Sequence, residues 1–382
     1  MLTNEMQMRA ELLGKVLATG IEPLTALDHA RKLWDFIDYG NNMISVTVTD
    51  DAADIFAECD IIGIRHGADG QWHRIAANRV VYDAEPAVFA SHPIYSRIGP
   101  ICVDDQHLVE IPAFYVRTER NGDEQTWLVS SRPAGGFILH PAFRNPDGSV
   151  AKAIRIGAYA AGQRDGDVAV GAGLKPWTSV SFDAAQERCE AIGPGWRMWS
   201  IYDLSAIQIL AMIEMGGTDM QDLIGRGQVD GGGVVAGGDS RARWRGIHEL
   251  WGNVWQMVDG LRIAADGTIN VWSIDRPGSG EWVSTGVQYG PGGDHGYPVS
   301  LHSERGNGFD LSLLFLPSEV TSDQDDALIG DWVWGHWEGR ETVAYCGGHW
   351  NSGVNAGVFA LNLRDARSST GAALGFRPAF AI

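Results

Sequence analysis

The chain has 382 residues, of which 45% are hydrophobic, so it is long enough for about two or three domains with a sizeable core. Its formal net charge of −19 argues against nucleic acid or an anionic membrane as the main partner. The cysteines Cys59, Cys102, Cys189 and Cys346 are far apart in sequence. This spacing disfavours a metal knuckle or a dense disulfide framework and favours buried free thiols.

The N-terminus carries no secretory signal in its first residues. Met1-Leu2-Thr3-Asn4-Glu5 has no basic region that leads into an apolar stretch, and no run in the chain is long enough to span a bilayer. We therefore expect synthesis in the cytoplasm without a signal peptide and without membrane insertion. If the protein acts on a virion or a cell surface, another route takes it there.

The first part of the chain combines helical periodicity with short strand-like runs. These patterns predict a small α+β module over residues 1–107, and its position in the chain alone suggests a role in attachment or oligomerisation. The periodicity indicates helices at 6–19 and 24–38 and strands at 44–48, 61–64 and 79–82.

A second domain is predicted over residues 108–382. An apolar strand at 110–117 is followed by Asn121-Gly122 and a strand at 126–130, which is a typical hairpin pattern. Another strand is expected at 154–159.

Two helices follow in this second domain. Ser181 is a candidate N-cap for a helix at 184–192, which Gly193 and Pro194 would end. A second helix at 201–215 would end at Gly216-Gly217. Residues 272–330 are predicted to form an extended insertion with little periodicity, before strands at 331–334 and 341–345.

Three stretches offer only incomplete ligand motifs. Residues 225–238 are glycine-rich but lack the strand, helix and Lys of a phosphate loop, and His248-Glu249 lacks the second His of a helical zinc site. Residues 322–326 are acidic but lack the Gly and distal Glu of a calcium loop. We therefore predict no cofactor and no metal site, with a structural calcium ion left open.

Four short motifs in a fixed order carry a resemblance. Gly252–Val258, Gly347–Trp350, Arg367-Ser368 and Gly375–Pro378 resemble the formylglycine-generating-enzyme (sulfatase-modifying factor) branch of the C-type lectin fold, over residues 108–382. The resemblance implies a compact α+β domain with short antiparallel sheets and two helices.

The enzymes of that branch carry cysteines a few residues after the Gly-Gly motif. In this sequence the corresponding positions are Ser352 and Gly357, and Cys346 lies before the glycine pair. Thiolate chemistry is therefore not expected there, and we predict a binding protein that is not an enzyme.

The C-terminal motifs are also similar to the variable proteins of diversity-generating retroelements, which include phage tail-fibre tropism determinants. In that family an error-prone copy of adenines scatters Asn codons over many residues but never yields Lys, Glu, Gln, Met or Trp. Those are the residue types missing after Trp350, in a chain with 15 Trp and 9 Met. The resemblance implies a ligand-binding surface on residues 345–373.

The resemblance separates candidate contact residues from a fixed scaffold. The candidate ligand-binding residues are Tyr345, His349, Asn351, Ser352, Val354, Asn355, Asn362, Arg364, Asp365, Ser369, Thr370, Gly371 and Ala373. The candidate scaffold residues are Gly252, Asn253, Trp255, Gly347, Gly348, Trp350, Arg367, Gly375, Phe376 and Arg377. We expect Trp255, Trp350 and Phe376 to be buried, and Arg377 to bond carbonyls or a carboxylate inside the fold.

The function that these predictions favour is recognition of a protein or another macromolecule on a cell surface. The chain would serve as a phage or prophage tail-fibre tip or as a displayed binder. Two alternatives stay open: an oxidase of the formylglycine-generating type with displaced cysteines, and a carbohydrate lectin, which would need calcium-binding carboxylates beside the sugar.

Overall fold

The computed structural model describes residues 60–77, 81–82, 86–238, 242–290, 295–336 and 339–380. The helices predicted at 6–19 and 24–38 and the strand predicted at 44–48 lie outside these ranges. Cys59 also lies outside them.

The described chain is mostly β-structure, in short strands. Three larger sheets have the strand orders β2-β1-β6-β5-β7, β11-β23-β8-β4-β3 and β14-β13-β12-β20-β21-β19, and β22 pairs with β12 in the third. Three further pairs are β9–β10, β15–β18 and β16–β17. The strands are β1 Ile62–His66, β2 Trp72–Ala76, β3 Gly99–Val103, β4 Gln106–Pro112, β5 Tyr115–Asn121, β6 Glu124–Ser130, β7 Ile138–Leu139, β8 Ala153–Gly157, β9 Gly162–Arg164, β10 Asp167–Ala169, β11 Trp196–Met198, β12 Trp255–Ile263, β13 Thr268–Trp272, β14 Trp282–Gln288, β15 Tyr297–Leu301, β16 Arg305–Gly306, β17 Phe309–Asp310, β18 Pro317–Thr321, β19 Val333–Gly335, β20 Thr342–Gly347, β21 Gly357–Asp365, β22 Leu374–Phe376 and β23 Pro378–Phe380.

The first sheet joins residues on both sides of position 107. Strand β1 pairs antiparallel with β6, with Ile62 opposite Val129, and β6 pairs with β5 in the predicted hairpin. Residues 62–76 therefore share a sheet with residues 115–139. A separate N-terminal module, as predicted for residues 1–107, stays a prediction for the residues before 60.

The apolar run at 110–117 forms two strands rather than the single strand that was predicted. Strand β4 ends at Pro112, which has no backbone N–H to continue the ladder, and β5 begins at Tyr115. Between them, the Ala113 N–H donates to the Lys152 carbonyl at 2.9 Å, and the Phe114 carbonyl accepts from the His140 N–H at 3.0 Å. The chain thereby crosses from the second sheet to the first.

The two predicted helices are present. They lie within a helix set of α1 Pro86–Ser91, α2 Phe182–Glu190, α3 Ile201–Met215 and α4 Met220–Leu223, with single 3₁₀ turns at Tyr95–Arg97, Pro141–Phe143, Leu311–Leu313 and Gly353–Asn355.

The ends of α2 and α3 follow the expected capping chemistry. Ser181 caps α2 by accepting from the Ala184 N–H, and the helix begins two residues earlier than predicted. Ser200 and Asp203 form a capping box at the start of α3, and Gly216 ends it at φ +79°. Residues 201–213 of α3 are all buried, so this helix is the centre of the core.

The segment 272–330 is more ordered than its sequence predicted. It contains strands β14 to β18. Its turn at Leu311–Leu313 and the residues after it are buried in the main core, at Leu311, Leu313, Leu314, Phe315 and Leu316. Because it contributes to that core, the segment is an integral part of the fold rather than an extended appendage.

Two sequence expectations concern the cysteines and the membrane. Cys189 and Cys346 are buried free thiols as expected, whereas Cys102 is exposed, because it alternates outward on the edge strand β3. In the part of the chain that the structure describes, no helix is both long enough and apolar enough to cross a membrane.

Candidate binding surface

The loop between β20 and β21 depends on a pair of glycines with positive φ. Gly347 and Gly348 have φ values of +91° and +79°. A Cβ on Gly347 would lie 2.8 Å from the Leu250 carbonyl oxygen, and one on Gly348 would lie 2.8 Å from the Ala356 Cβ. No other residue type fits both the conformation and the space, so the predicted scaffold role of this pair has a steric cause.

Arg377 fastens the C-terminal strands to the loop before β12. The side chain is fully buried, and its Nε donates to Gln256 Oε1 at 2.7 Å. The two Nη atoms donate to the carbonyls of Gly157 at 2.6 Å, His248 at 2.7 Å and Glu249 at 3.1 Å. Burial lowers the pKa of Arg377 to about 10, so the guanidinium is charged at neutral pH. The expectation that Arg377 bonds internal carbonyls is confirmed.

Asn253 connects the β20–β21 loop to the glycine-rich stretch 225–238. Its side chain accepts from the Val235 N–H at 2.9 Å and donates to the Val235 carbonyl at 3.1 Å. Its own carbonyl accepts from the Trp350 N–H at 3.1 Å. The buried Asn253 therefore positions two surface loops at once.

The glycine-rich stretch forms one wall of the surface. The Gly231 N–H donates to the Trp350 carbonyl at 2.7 Å, and the Gly353 N–H donates to the Val229 carbonyl at 3.0 Å. The sequence did not predict this neighbour. A stretch of glycines near a second glycine-rich loop is the only signal that could have suggested it.

The predicted contact residues fall into three groups by exposure. Exposed side chains are Asn351, Val354, Arg364 and Thr370. Partly exposed residues are His349, Ser352, Asn355, Asp365, Ser369, Gly371 and Ala373. Buried residues, contrary to the expectation, are Tyr345 and Asn362.

Tyr345 and Asn362 are buried because their strands lie inside the third sheet. They are register partners, with Tyr345 on β20 opposite Asn362 on β21. Strand β20 has a neighbour on each side, and Tyr345 also faces Met257 on β12. The Asn362 side chain donates to Asp365 Oδ2 at 2.7 Å instead of facing solvent. Both residues are therefore core residues and not contact residues.

One scaffold residue, Trp350, is less buried than expected. Trp255 and Phe376 are buried, whereas Trp350 and Arg367 are partly exposed. Trp350 sits in the loop, where its ring packs edge-on against His349 with centroids 5.6 Å apart. Arg367 forms an ion pair with Asp183, and its guanidinium lies 4.8 Å from the Phe182 ring centroid.

A row of aromatic rings, here called the aromatic strip, extends from the 295–297 segment towards the β20–β21 loop. Trp332 contacts His295 at 5.8 Å and Tyr297 at 4.7 Å between centroids. Trp332 also lies 6.2 Å from Trp334. Trp332 and Trp334 are partly exposed and His295 is exposed.

The strip continues through Trp255 into the loop itself. The Trp255 and Trp334 rings meet edge-on at 5.1 Å, and Trp255 lies 6.4 Å from His349, which contacts Trp350. Burial lowers the pKa of His349, so its ring is neutral at pH 7. The complete strip is His295, Tyr297, Trp332, Trp334, Trp255, His349 and Trp350.

A buried carboxyl group lies beneath this surface. Asp331 Oδ2 accepts from the Phe359 N–H at 2.8 Å. A Cβ on Gly357 would overlap the Asp331 carboxyl group, so only glycine fits opposite it. Burial raises the pKa of Asp331 well above its usual value, and the nearby Asp219 carboxylate raises it further, against the effect of the Phe359 N–H.

The ionisation of Asp331 should make the protein less stable as the pH rises, and the Asp331→Asn variant should lack this effect. Because the folded-state pKa is raised above the unfolded value of 3.8, the folded protein holds the proton more tightly. The contribution of Asp331 to the free energy of unfolding is therefore largest at low pH. It declines as the pH rises above about 4 towards the folded pKa. Urea midpoints of both proteins from pH 4.5 to 8 should show an advantage of the Asp331→Asn variant that grows with pH. A constant difference across that range would contradict the prediction.

Thiol chemistry has no support at this surface. Cys346 is fully buried, and burial raises the pKa of its thiol, so the reactive thiolate is disfavoured. Ser352 and Gly357, which stand where the resemblance led us to expect cysteines, carry no thiol. Across the described ranges, no group of three or more His, Cys, Asp or Glu side chains is placed to hold a metal ion.

The chain matches no protein-family model and no curated protein. Its structure is similar to variable protein 1 of Treponema denticola, at 10% identity, 75% coverage of this chain, 99% coverage of that chain and a TM-score of 0.36. It is also similar to the U1 variant of the Major Tropism Determinant, at 13% identity, with 89% of this chain and 73% of that chain covered and a TM-score of 0.31.

A third similar structure is PvdO from Pseudomonas aeruginosa, at 14% identity, with 75% and 98% coverage and a TM-score of 0.35. The resemblance predicted from the motifs is confirmed to this extent: the similar solved structures include a variable protein and a tropism determinant. The assignment to the formylglycine-generating-enzyme branch stays a prediction. Likenesses at this level do not define what the protein binds.

Proposed function

We propose that this chain is a ligand-binding protein that recognises a macromolecule on a cell surface through the β20–β21 loop, the residues after β21 and the aromatic strip. The chain acts as a tail-fibre tip of a phage or prophage, or as a displayed binder. A retroelement diversifies the exposed positions of residues 345–373.

The observation that carries this proposal is that main-chain hydrogen bonds hold the loop in place, whereas several of its side chains are exposed. Main-chain hydrogen bonds from Trp350, Gly353 and Gly231 fix its path. Asn351 and Val354, by contrast, are exposed. Substitution of exposed side chains that have no structural partner usually changes stability by less than about 0.5 kcal/mol. Such positions can vary while the fold persists.

The aromatic strip supplies the contact types that variable polar residues lack. A standard interface covers about 800 Å² on each partner, roughly 20–30 residues, which is more than the exposed loop positions provide. Trp332 and Trp334 lie beside the loop and are partly exposed. Trp is enriched among residues that dominate binding energy. In this proposal they form a constant part of a surface whose polar part changes.

The diversification step has a genetic test that needs no known target. The neighbouring DNA should hold a near-copy of the coding region for residues 345–382, with adenines at the positions that differ, and a reverse-transcriptase gene. Sequencing of that coding region across a population should find changes at His349, Asn351, Val354 and Arg364, and none at Tyr345 or Gly347. Changes spread evenly over buried and exposed codons would contradict diversification.

The recognition surface is tested by changing His349, Asn351, Val354, Arg364 and Thr370 together to Ser. The melting temperature should fall by only a few degrees, since these side chains are exposed or partly exposed. Binding of the fluorescently labelled chain to a panel of bacterial strains should fall at least about 100-fold, the loss expected when hot-spot contacts are removed.

The matched control changes an equal number of exposed residues elsewhere to Ser: Asp123, Val150, Arg164, Lys175 and Glu187. It should keep both the melting temperature and the binding. Undiminished binding by the first variant would place recognition on another surface, and a collapse of its melting temperature would show that the loop side chains support the fold.

A further inference from the structure

A cavity of about 790 Å³ lies apart from the aromatic strip. It is bounded by α2, β11, β12 and the β13–β14 turn, with Arg367 at one side. Its volume lies within the range of roughly 300–1,000 Å³ that is usual for small-molecule sites. In the described part of the chain, no residue of the strip lines it.

One wall of the cavity is aromatic. The Trp272 and Trp282 rings lie 6.1 Å apart at 58° to each other. Gly278 and Gly280, in the turn that joins their strands, have positive φ values of +76° and +84°. A Cβ on Gly280 would meet nothing within 4 Å. Trp272 is 9% exposed, whereas Trp282 is partly exposed and has the Arg262 guanidinium 4.2 Å from its ring centroid. Trp282 is therefore the ring of this wall that a ligand can reach.

Another wall of the cavity is a chain of planar polar groups that are hydrogen-bonded to one another. Arg367 Nη2 donates to Gln186 Oε1, and Gln186 Nε2 donates to Asp259 Oδ2. Asp259 Oδ1 accepts from the Gly260 N–H at 2.8 Å. Asp259 is 5% exposed, and burial raises the pKa of its carboxyl group. The exposed Glu190, at the end of α2, completes this wall.

The charges that line the cavity nearly cancel. Three arginines, at 197, 262 and 367, stand against four acids, at 147, 190, 259 and 341. Arg197 is bonded through both Nη atoms to the buried Asp203, and Arg262 is paired with Glu341 at 3.1 Å. An anion would face the carboxylates and a cation would face the guanidinium groups. A neutral ligand avoids both costs.

Hydroxyl groups match this set of side chains because each hydroxyl both donates and accepts a hydrogen bond. A ring that carries hydroxyls at its edge and C–H groups on its face also suits an aromatic wall, since the face of an aromatic ring is electronegative. We propose that the cavity binds a neutral carbohydrate of one or two rings against Trp282 and the polar groups of Gln186, Asp259 and Glu190, without a metal ion.

The test uses the full chain and four neutral disaccharides as probes: cellobiose, maltose, lactose and N,N′-diacetylchitobiose. Saturation-transfer NMR is recorded with each sugar before and after EDTA is added. At least one sugar should give a signal, with a dissociation constant in the millimolar range. Trp282→Ala and the isosteric Glu190→Gln should each weaken that binding by about tenfold or more.

Glu187→Gln is the matched control, because Glu187 is exposed on the same helix but does not line the cavity. It should bind as the unchanged chain does. The variant with five serines in the recognition surface should also keep the sugar signal, so this proposal and the proposed function fail separately.

Three results would overturn the carbohydrate site. One is the absence of a signal with all four sugars, and another is loss of the signal on adding EDTA. The third is a signal that persists in Glu190→Gln and Trp282→Ala alike. The Glu190 substitution guards against a folding defect in the tryptophan variant, since it removes only a charge from an exposed side chain.

Discussion

Replacing Arg377 with Ala is expected to lower the free energy of unfolding by about 3–5 kcal/mol, the range for removing one partner of a buried charged network. The guanidinium is fully buried and donates four hydrogen bonds. Its loss would leave the carbonyls of Gly157, His248 and Glu249 without these donors in the core, and buried unpaired polar groups are costly. Urea midpoints and slopes for both proteins give the difference directly.

Two further substitutions sharpen this test. Arg377→Lys should recover little stability, because one ammonium group cannot reproduce the planar fork of donors. Arg364→Ala, on an exposed residue of β21, should change stability by less than about 0.5 kcal/mol. If Arg377→Ala is as mild as Arg364→Ala, the network does not hold the C-terminal strands.

The features that sequence reasoning predicted well are those with local causes. Ser181 caps α2 and Gly216 ends α3, because N-caps and left-handed C-caps depend on residues a few positions apart. The Asn121-Gly122 turn joins β5 and β6 for the same reason. The Gly-Gly pair and Arg377 were identifiable from their motifs, and the structure supplies the steric and hydrogen-bonding causes.

The errors arise where long-range pairing decides the outcome. The resemblance placed Tyr345 and Asn362 among the contact residues, but every residue from Thr342 to Gly347 is buried, as are residues 357–363 of β21. A strand in the middle of a covered sheet has no solvent face, so Tyr345 and Asn362 could not be identified as core residues from periodicity alone.

The aromatic strip could not be predicted because its rings come from distant parts of the chain. His295 and Tyr297 lie in the segment that was predicted to be an extended insertion, whereas Trp332 directly precedes β19 and Trp334 lies within it. Strand β19 pairs parallel with β21, with Trp334 opposite Asn362. That pairing, which no sequence period indicates, carries the two tryptophans to the edge of the proposed recognition surface.

Trp255 connects this strip to the β20–β21 loop, so Trp255→Ala is expected to affect both stability and the proposed recognition. The side chain is 6% exposed, and its deletion should cost about 3–5 kcal/mol, the range for a large core aromatic. The remaining folded protein should bind its target cells at least about tenfold more weakly. The reason is that Trp334 and His349 both pack on the Trp255 ring, at 5.1 and 6.4 Å between centroids.

The control is a second buried tryptophan outside the strip. Trp244 is 3% exposed, and its Nε1 donates to Glu214 at 2.8 Å. Trp244→Ala should therefore destabilise the fold to a similar extent while the folded fraction keeps its affinity for the same cells. Titration of cells with each variant, at a temperature where both are mostly folded, separates the two effects. Equal binding by the two variants would mean that Trp255 supports the core alone, and that the strip does not position the residues that meet the target.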